Sequence, residues 1–210
     1  MRPMTRVYLE IGPKKVFACS LDWPGWCRID RSEEAALDRL MDYVPRYRVI
    51  AERAGTVFEP DDPVVVATVP GRATTDFGVP YQVPDLDLEP LPGPEAERSV
   101  ALLRAAWELF DEVAAVSPEE LRKGPRGGGR DLTKIVAHVS EAERSYARMV
   151  GVRHGPYRSP GDREAMRAEL AQVLARPWEP PPVTKWPPRY ALRRTVWHVV
   201  DHLWEIEDRR

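Results

Sequence analysis

The sequence predicts an α+β protein in which a small N-terminal strand-hairpin-plus-helix domain precedes an antiparallel four-helix bundle. Three observations carry this expectation. Apolar residues alternate with a period of two near the N-terminus, then recur every three or four residues beyond residue 93. Of 22 prolines, eight fall from Pro60 to Pro94, where each removes a backbone donor and biases its predecessor away from helix. The chain has 210 residues, enough for one or two domains. We therefore divide it into residues 1–92, ending in the Pro-rich connection, and residues 93–210.

Taken in order, residues 5–20 read as a hairpin. Val7, Leu9 and Ile11 alternate with Tyr8 and Glu10, Gly12-Pro13 makes the turn, and Val16-Phe17-Ala18-Cys19 returns. A second turn, Asp22-Trp23-Pro24-Gly25-Trp26, leads to a short strand at Cys27-Arg28-Ile29, and burial against the following helix is expected of Trp23 and Trp26. Ser32 is placed to cap that helix, which runs to Tyr43 with Glu33 and Glu34 at its positive end. Pro45 interrupts it, and a further helical piece spans 46–54. Val64-Val65-Val66-Ala67-Thr68-Val69 reads as one short strand before an extended connection.

Helix is predicted throughout the remainder. Pro94 to Val116 carries Val100, Leu103, Trp107, Phe110 and Val113 at helical steps. Ser117-Pro118-Glu119-Glu120 has the form of a capping box and predicts a short helix ended by Gly124. Gly124-Pro125-Arg126-Gly127-Gly128-Gly129 lacks the Lys-Ser/Thr ending and preceding strand of a phosphate loop, so it reads as a flexible turn. Asp131 is placed to cap a helix to Val150, with Leu132, Ile135, Val139, Ala142, Tyr146 and Met149 on one face. Ser159-Pro160-Gly161-Asp162 opens a helix to Ala175. After the prolines between Pro177 and Pro188, a last helix carries Leu192, Val196, Val199, Leu203 and Ile206 at spacings suited to a bundle seam.

Composition narrows the function. Lys and Arg total 31 against 33 Asp and Glu, a net charge of −2, which argues against a dedicated nucleic-acid binder. Arg122, Lys123, Arg126 and Arg130 make a modest basic loop, read as solvated. No apolar run is long enough for a membrane span or a secretory signal, so the expectation is a cytoplasmic protein with no membrane partner. Cys19 and Cys27 cannot build a disulfide framework or a four-thiolate zinc site; they are expected to be reduced and structural. Nucleophile-elbow, dinucleotide-turn and zinc-protease signatures are all missing.

The four histidines hold the chemistry. His198 and His202 are one helical turn apart on one face, bordering the apolar seam, with Glu205 on the same side. His138 occupies a similar border position on the second long helix, with Glu141 and Tyr146 following. An i, i+4 imidazole pair can chelate zinc, nickel or related ions, and three neutral imidazoles leave positions open for water or substrate. His154, in the loop before Gly155-Pro156, reads as a solvated residue.

The segments Ile135-Val136-Ala137-His138-Val139-Ser140-Glu141-Ala142-Glu143 and Trp197-His198-Val199-Val200-Asp201-His202-Leu203-Trp204-Glu205-Ile206-Glu207-Asp208-Arg209 resemble the DinB/YfiT-like superfamily. The resemblance spans residues 94–210. It implies a four-helix bundle with one metal-ligating histidine on its second helix and a His-x-x-x-His pair on its fourth, positions matched here by His138, His198 and His202. It further implies a metal-dependent transferase or isomerase that uses a low-molecular-weight thiol such as bacillithiol or mycothiol, acting on a small-molecule substrate. Glu141, Tyr146 and Glu205 are then the candidates for positioning or acid–base roles. More weakly, Val16 to Trp26 followed by Ser32-Glu33-Glu34-Ala35 resembles the HicB-like fold. With a helical region in place of a DNA-binding segment, this implies an accessory domain that covers the bundle or builds a homodimer. The alternative function is a non-catalytic interaction or regulatory protein whose three-histidine site is structural or empty.

Overall fold

The computed structural model describes residues 4–124 and 128–210. Strands β1 (Thr5–Ile11), β2 (Val16–Ser20) and β3 (Cys27–Asp30) form antiparallel neighbours, and β4 (Pro63–Pro70) joins the other side of β1 in parallel, giving the order β3-β2-β1-β4. Between β3 and β4 lie helices α1 (Glu33–Asp42) and α2 (Val44–Arg53). A one-turn helix α3 (Ala73–Asp76) and a 3-10 turn (Asp85–Leu88) lead to α4 (Gly93–Val116), α5 (Leu132–Met149), α6 (Pro160–Leu174) and α7 (Pro188–Arg209).

The expected layout of a small hairpin-plus-helix domain followed by a four-helix bundle is corrected by this arrangement. Residues 63–70 complete a four-stranded mixed sheet, accompanied among the described residues by seven α-helices. Helix α2 packs on α4, and one apolar core takes Val7 and Leu9 of β1, Leu40 of α1 and Ile50 of α2 together with Leu103, Ile135, Leu170 and Val199 of the long helices. The error has a physical source. A parallel strand finds its partner through a long crossover, so the local β-branched run at Val64–Val69 marks a strand without revealing its neighbour.

Strands β1 and β2 bury both faces, whereas β4 at the edge is largely exposed. Val7, Leu9, Val16 and Ala18 enter the main core, whereas Tyr8, Phe17, Cys19 and Cys27 pack with Trp197 of α7 on the other face. Phe17 meets Trp197 edge-on, with ring centroids 6.1 Å apart. Trp26 is fully buried and donates its indole N–H to the carbonyl of Leu40 in α1 at 2.9 Å.

Three local expectations are also corrected. Residues 117–124 form bends rather than a short helix. Glu119 serves α5 instead: its carboxylate accepts from the Thr133 hydroxyl at 2.7 Å, and its carbonyl accepts from Leu132 N–H. Asp131 holds the N-cap position, yet its carboxylate pairs with Lys123. The cysteines expected to be reduced are joined as a disulfide, being direct register partners across β2 and β3. Pro125, Arg126 and Gly127 of the expected glycine-rich turn lie outside the described residues. No described helix is long and apolar enough to cross a membrane.

Helix α7 positions the site. Every residue from Tyr190 to Val200 is buried, because the long helices cover one side and the sheet covers the other. Burial therefore extends past the apolar stripe to Arg193, Arg194, Thr195 and His198. Arg193 is compensated by Asp87, with Nε to Oδ1 at 3.0 Å, and by the Tyr8 hydroxyl at 3.0 Å.

Candidate metal centre

Helices α5 and α7 pack together, and this brings His138 opposite the pair His198 and His202. Each of the three offers a ring nitrogen such that all of these atoms lie within 4.8 Å of one another. Nε2 of His138 and Nε2 of His198 are 3.2 Å apart. Two nitrogens held at about 2.0–2.1 Å from one tetrahedral ion would be separated by roughly 3.3 Å, so this pair already has the spacing of two ligands. The His138 ring centroid lies 5.0 Å from each of the other two, and those two are 4.7 Å apart.

Protonation favours metal binding. Burial holds the His198 imidazole well below its ordinary pKa, reinforced by His202, Arg194, His138 and Arg130. His138 is also lowered, by burial first and then by His202 and Arg130. Neutral rings have a lone pair to donate, as ligation requires. Nδ1 of His202 lies 2.7 Å from Oε2 of Glu205. Burial alone would raise the Glu205 pKa, but hydrogen bonds from His202 and Arg209 hold it below the usual range. An ionised carboxylate only accepts, so Nδ1 of His202 is the donor to Glu205, and Nε2 is the ring atom left for a ligand role. Arg209 extends this arrangement, with Nη1 2.6 Å from Glu205 Oε1 and Nε 2.8 Å from the Arg122 carbonyl.

The remaining sequence candidates separate. Glu205 abuts the cluster through His202. Tyr146 places its ring 5.5 Å from that of His198, and its hydroxyl accepts from Arg194 Nη2 at 3.1 Å. The Glu141 side chain is 56% exposed and pairs with Arg144 at 2.5 Å, so it is engaged on the outer surface of α5. His154 is half-buried rather than simply solvated, with Nε2 2.7 Å from Glu169 Oε2. Among the described residues, none from the first 92 enters the histidine group.

Sequence reasoning passed over Arg194 and Arg209. Arg194 precedes His198 by four residues, the same step that separates His198 from His202, and that periodicity was the available signal. Arg209 follows Glu205 by the same interval, a spacing that pairs opposite charges on a helix. No family model, curated protein or solved structure matches the chain.

Proposed function

We propose that the protein holds one divalent ion, zinc or nickel, on His138, His198 and His202 and uses it to transfer a low-molecular-weight thiol to a small electrophilic substrate. The observation that carries the metal reading is the convergence of three imidazole nitrogens within 4.8 Å. It is supported by the freed Nε2 of His202 and by the burial that keeps His138 and His198 neutral. The thiol chemistry rests on the resemblance of the two histidine segments. When bound, the ion would favour the thiolate form of the cofactor, which is the nucleophile.

The chain's own residues have defined tasks in this reading. Glu205 and Arg209 orient the His202 ring, Tyr146 flanks His198, and the packed sheet and helices restrict water around α7. Three protein ligands leave a position for the thiol. We place the protein in the cytoplasm, where such thiols are kept reduced. Its partner in this reading is a small molecule rather than a nucleic acid or a membrane.

Calorimetric titration of zinc and nickel into metal-free protein tests the first half. One ion should bind per chain, and His138→Ala, His198→Ala and His202→Ala should each lose binding. The second half is tested by following bacillithiol or mycothiol consumption with a small electrophile. Metal-dependent turnover that chelator abolishes supports the transferase. Metal binding without turnover, accompanied by unfolding on chelation, would favour a structural ion instead.

A further inference from the structure

A cavity lined by none of the three clustered histidines carries charge of one sign. Its volume is about 600 Å³, and it lies where the C-terminal end of α5 meets the loop that follows and the segment that precedes α7. Arg148 of α5, Arg153 and His154 of the loop, and Lys185 of the later segment all line it. The three cations are exposed, so the cavity opens to solvent. Among the described residues no aspartate or glutamate lines it, and none of the three cations has a carboxylate partner. Arg144, one turn earlier on the same helix, is by contrast paired with Glu141. A concave surface lined by like charges focuses its field and draws counter-ions.

The three segments are tied together. Trp186 N–H donates to the Met149 carbonyl at 3.2 Å, which holds the neighbouring Lys185 beside the end of α5. Arg148 Nη2 reaches the His154 carbonyl at 3.4 Å, and His154 Nε2 lies 2.7 Å from Glu169 Oε2, anchoring the loop to α6. The negative end of the α5 dipole opposes an anion, but its last carbonyls are occupied. Ala147 accepts from Val150 and Val152, Arg148 from Gly151, and Met149 from Trp186.

We infer that Arg148, Arg153 and Lys185 form a binding site for the pyrophosphate group of a small organic molecule. A phosphate ester carries about −1.5 to −2 charges near pH 7; one phosphate leaves a cation over, whereas two linked phosphates engage all three. Arginine offers paired donors to phosphate oxygens, and lysine adds a mobile point charge. The volume falls within the roughly 300–1,000 Å³ typical of small-molecule sites, and what the pyrophosphate leaves takes the attached organic group. The site does not rest on the metal reading.

The test titrates inorganic pyrophosphate, phosphate and sulfate into metal-free full-length protein by calorimetry at constant ionic strength. One pyrophosphate should bind per chain, more tightly than phosphate or sulfate, and raise Tm. Arg153→Gln and Lys185→Gln should each weaken it by roughly tenfold, the loss of one charge-assisted hydrogen bond. Lys14→Gln removes the same charge from the exposed turn between β1 and β2 and should leave binding unchanged, as should changing His138, His198 and His202 together to Ala. Bound pyrophosphate should also slow acetylation of Lys185 by acetic anhydride, read by mass spectrometry, which decides the matter should either glutamine variant fail to fold. No saturable binding, equal binding of sulfate, an equal loss in Lys14→Gln, or unprotected Lys185 would each overturn the proposal. Tighter binding of a short single-stranded oligonucleotide than of pyrophosphate would overturn it in favour of a nucleic-acid surface.

Discussion

At the level of single residues, Glu205 is the side chain whose role is best defined by its contacts. It accepts from His202 Nδ1 at 2.7 Å and from Arg209 Nη1 at 2.6 Å. Carboxylates in this position set the tautomer and ring orientation of a ligating histidine, and their loss typically costs about 10–100-fold in metal affinity. Glu205→Ala should therefore weaken zinc binding by roughly that factor. Glu205→Gln, which keeps an acceptor oxygen, should fall between it and wild type. Calorimetry reads both, and Tm should change little because the Glu205 side chain is 29% exposed. Unchanged affinity in Glu205→Ala would remove the residue from the site. The His198–His202 pair was legible from helical spacing, whereas His138 was joined to it only by the resemblance of the two segments, because spacing does not show which face of a distant helix meets the pair. Arg194 was not legible, because a cation one turn from an apolar stripe ordinarily reads as solvent-facing, and only tertiary packing on both sides of α7 buries it.

At the level of elements, local signals succeeded where local chemistry decides. Ser159 accepts from Asp162 N–H at 3.3 Å, and the Asp162 carboxylate accepts from the N–H of Arg158 at 2.6 Å and Ser159 at 2.9 Å. This reciprocal cap starts α6 where the sequence placed it. The backbone hydrogen bonds to Arg158 and Ser159 hold the Asp162 pKa below its ordinary value. For a carboxylate lowered in this way, the stabilisation is present above its unfolded pKa and is lost as pH falls through the folded one. The first turn of α6 should thus lose hydrogen-exchange protection as pH drops below about 4, and Asp162→Asn should remove that dependence. Protection in this turn that ignores pH would contradict the cap. Signals failed where a distant partner competes. Ser117-Pro118-Glu119-Glu120 has the letters of a cap, but Glu119 is drawn to Thr133 at the start of α5. Similarly, β4 shows its β-branched run locally while its place beside β1 is fixed by a chain segment more than fifty residues away.

At the level of the whole molecule, α7 is the member that both the sheet and the long helices press upon, so the placement of its histidines should depend on the N-terminal residues. Asp87→Ala should be among the most damaging single changes, because Arg193 would be left buried without its carboxylate. Breaking such a pair costs about 3–5 kcal/mol, measurable as a lowered urea midpoint with an unchanged m-value. A sharper test of the coupling is Gly25, in the turn between β2 and β3. It has φ +88°, and a Cβ added there would stand 2.5 Å from Val196 Cγ1 and 3.1 Å from the Val196 carbonyl carbon. An L-residue in that conformation costs about 1–2 kcal/mol, and overpacking adds roughly 1–3 kcal/mol. Relief requires the turn and α7 to separate at Val196, two residues before His198. Gly25→Ala should therefore lower stability and weaken zinc binding together, although it lies in a different part of the chain from every proposed ligand. Gly93→Ala is the control, since it opens α4 and meets nothing within 4 Å; stability there should stay level or rise slightly, with zinc binding unchanged. If Gly25→Ala loses stability but binds zinc as wild type does, the sheet supports α7 without setting the geometry of its histidines. If it loses neither, the close approach of the turn to Val196 does not hold the sheet against α7.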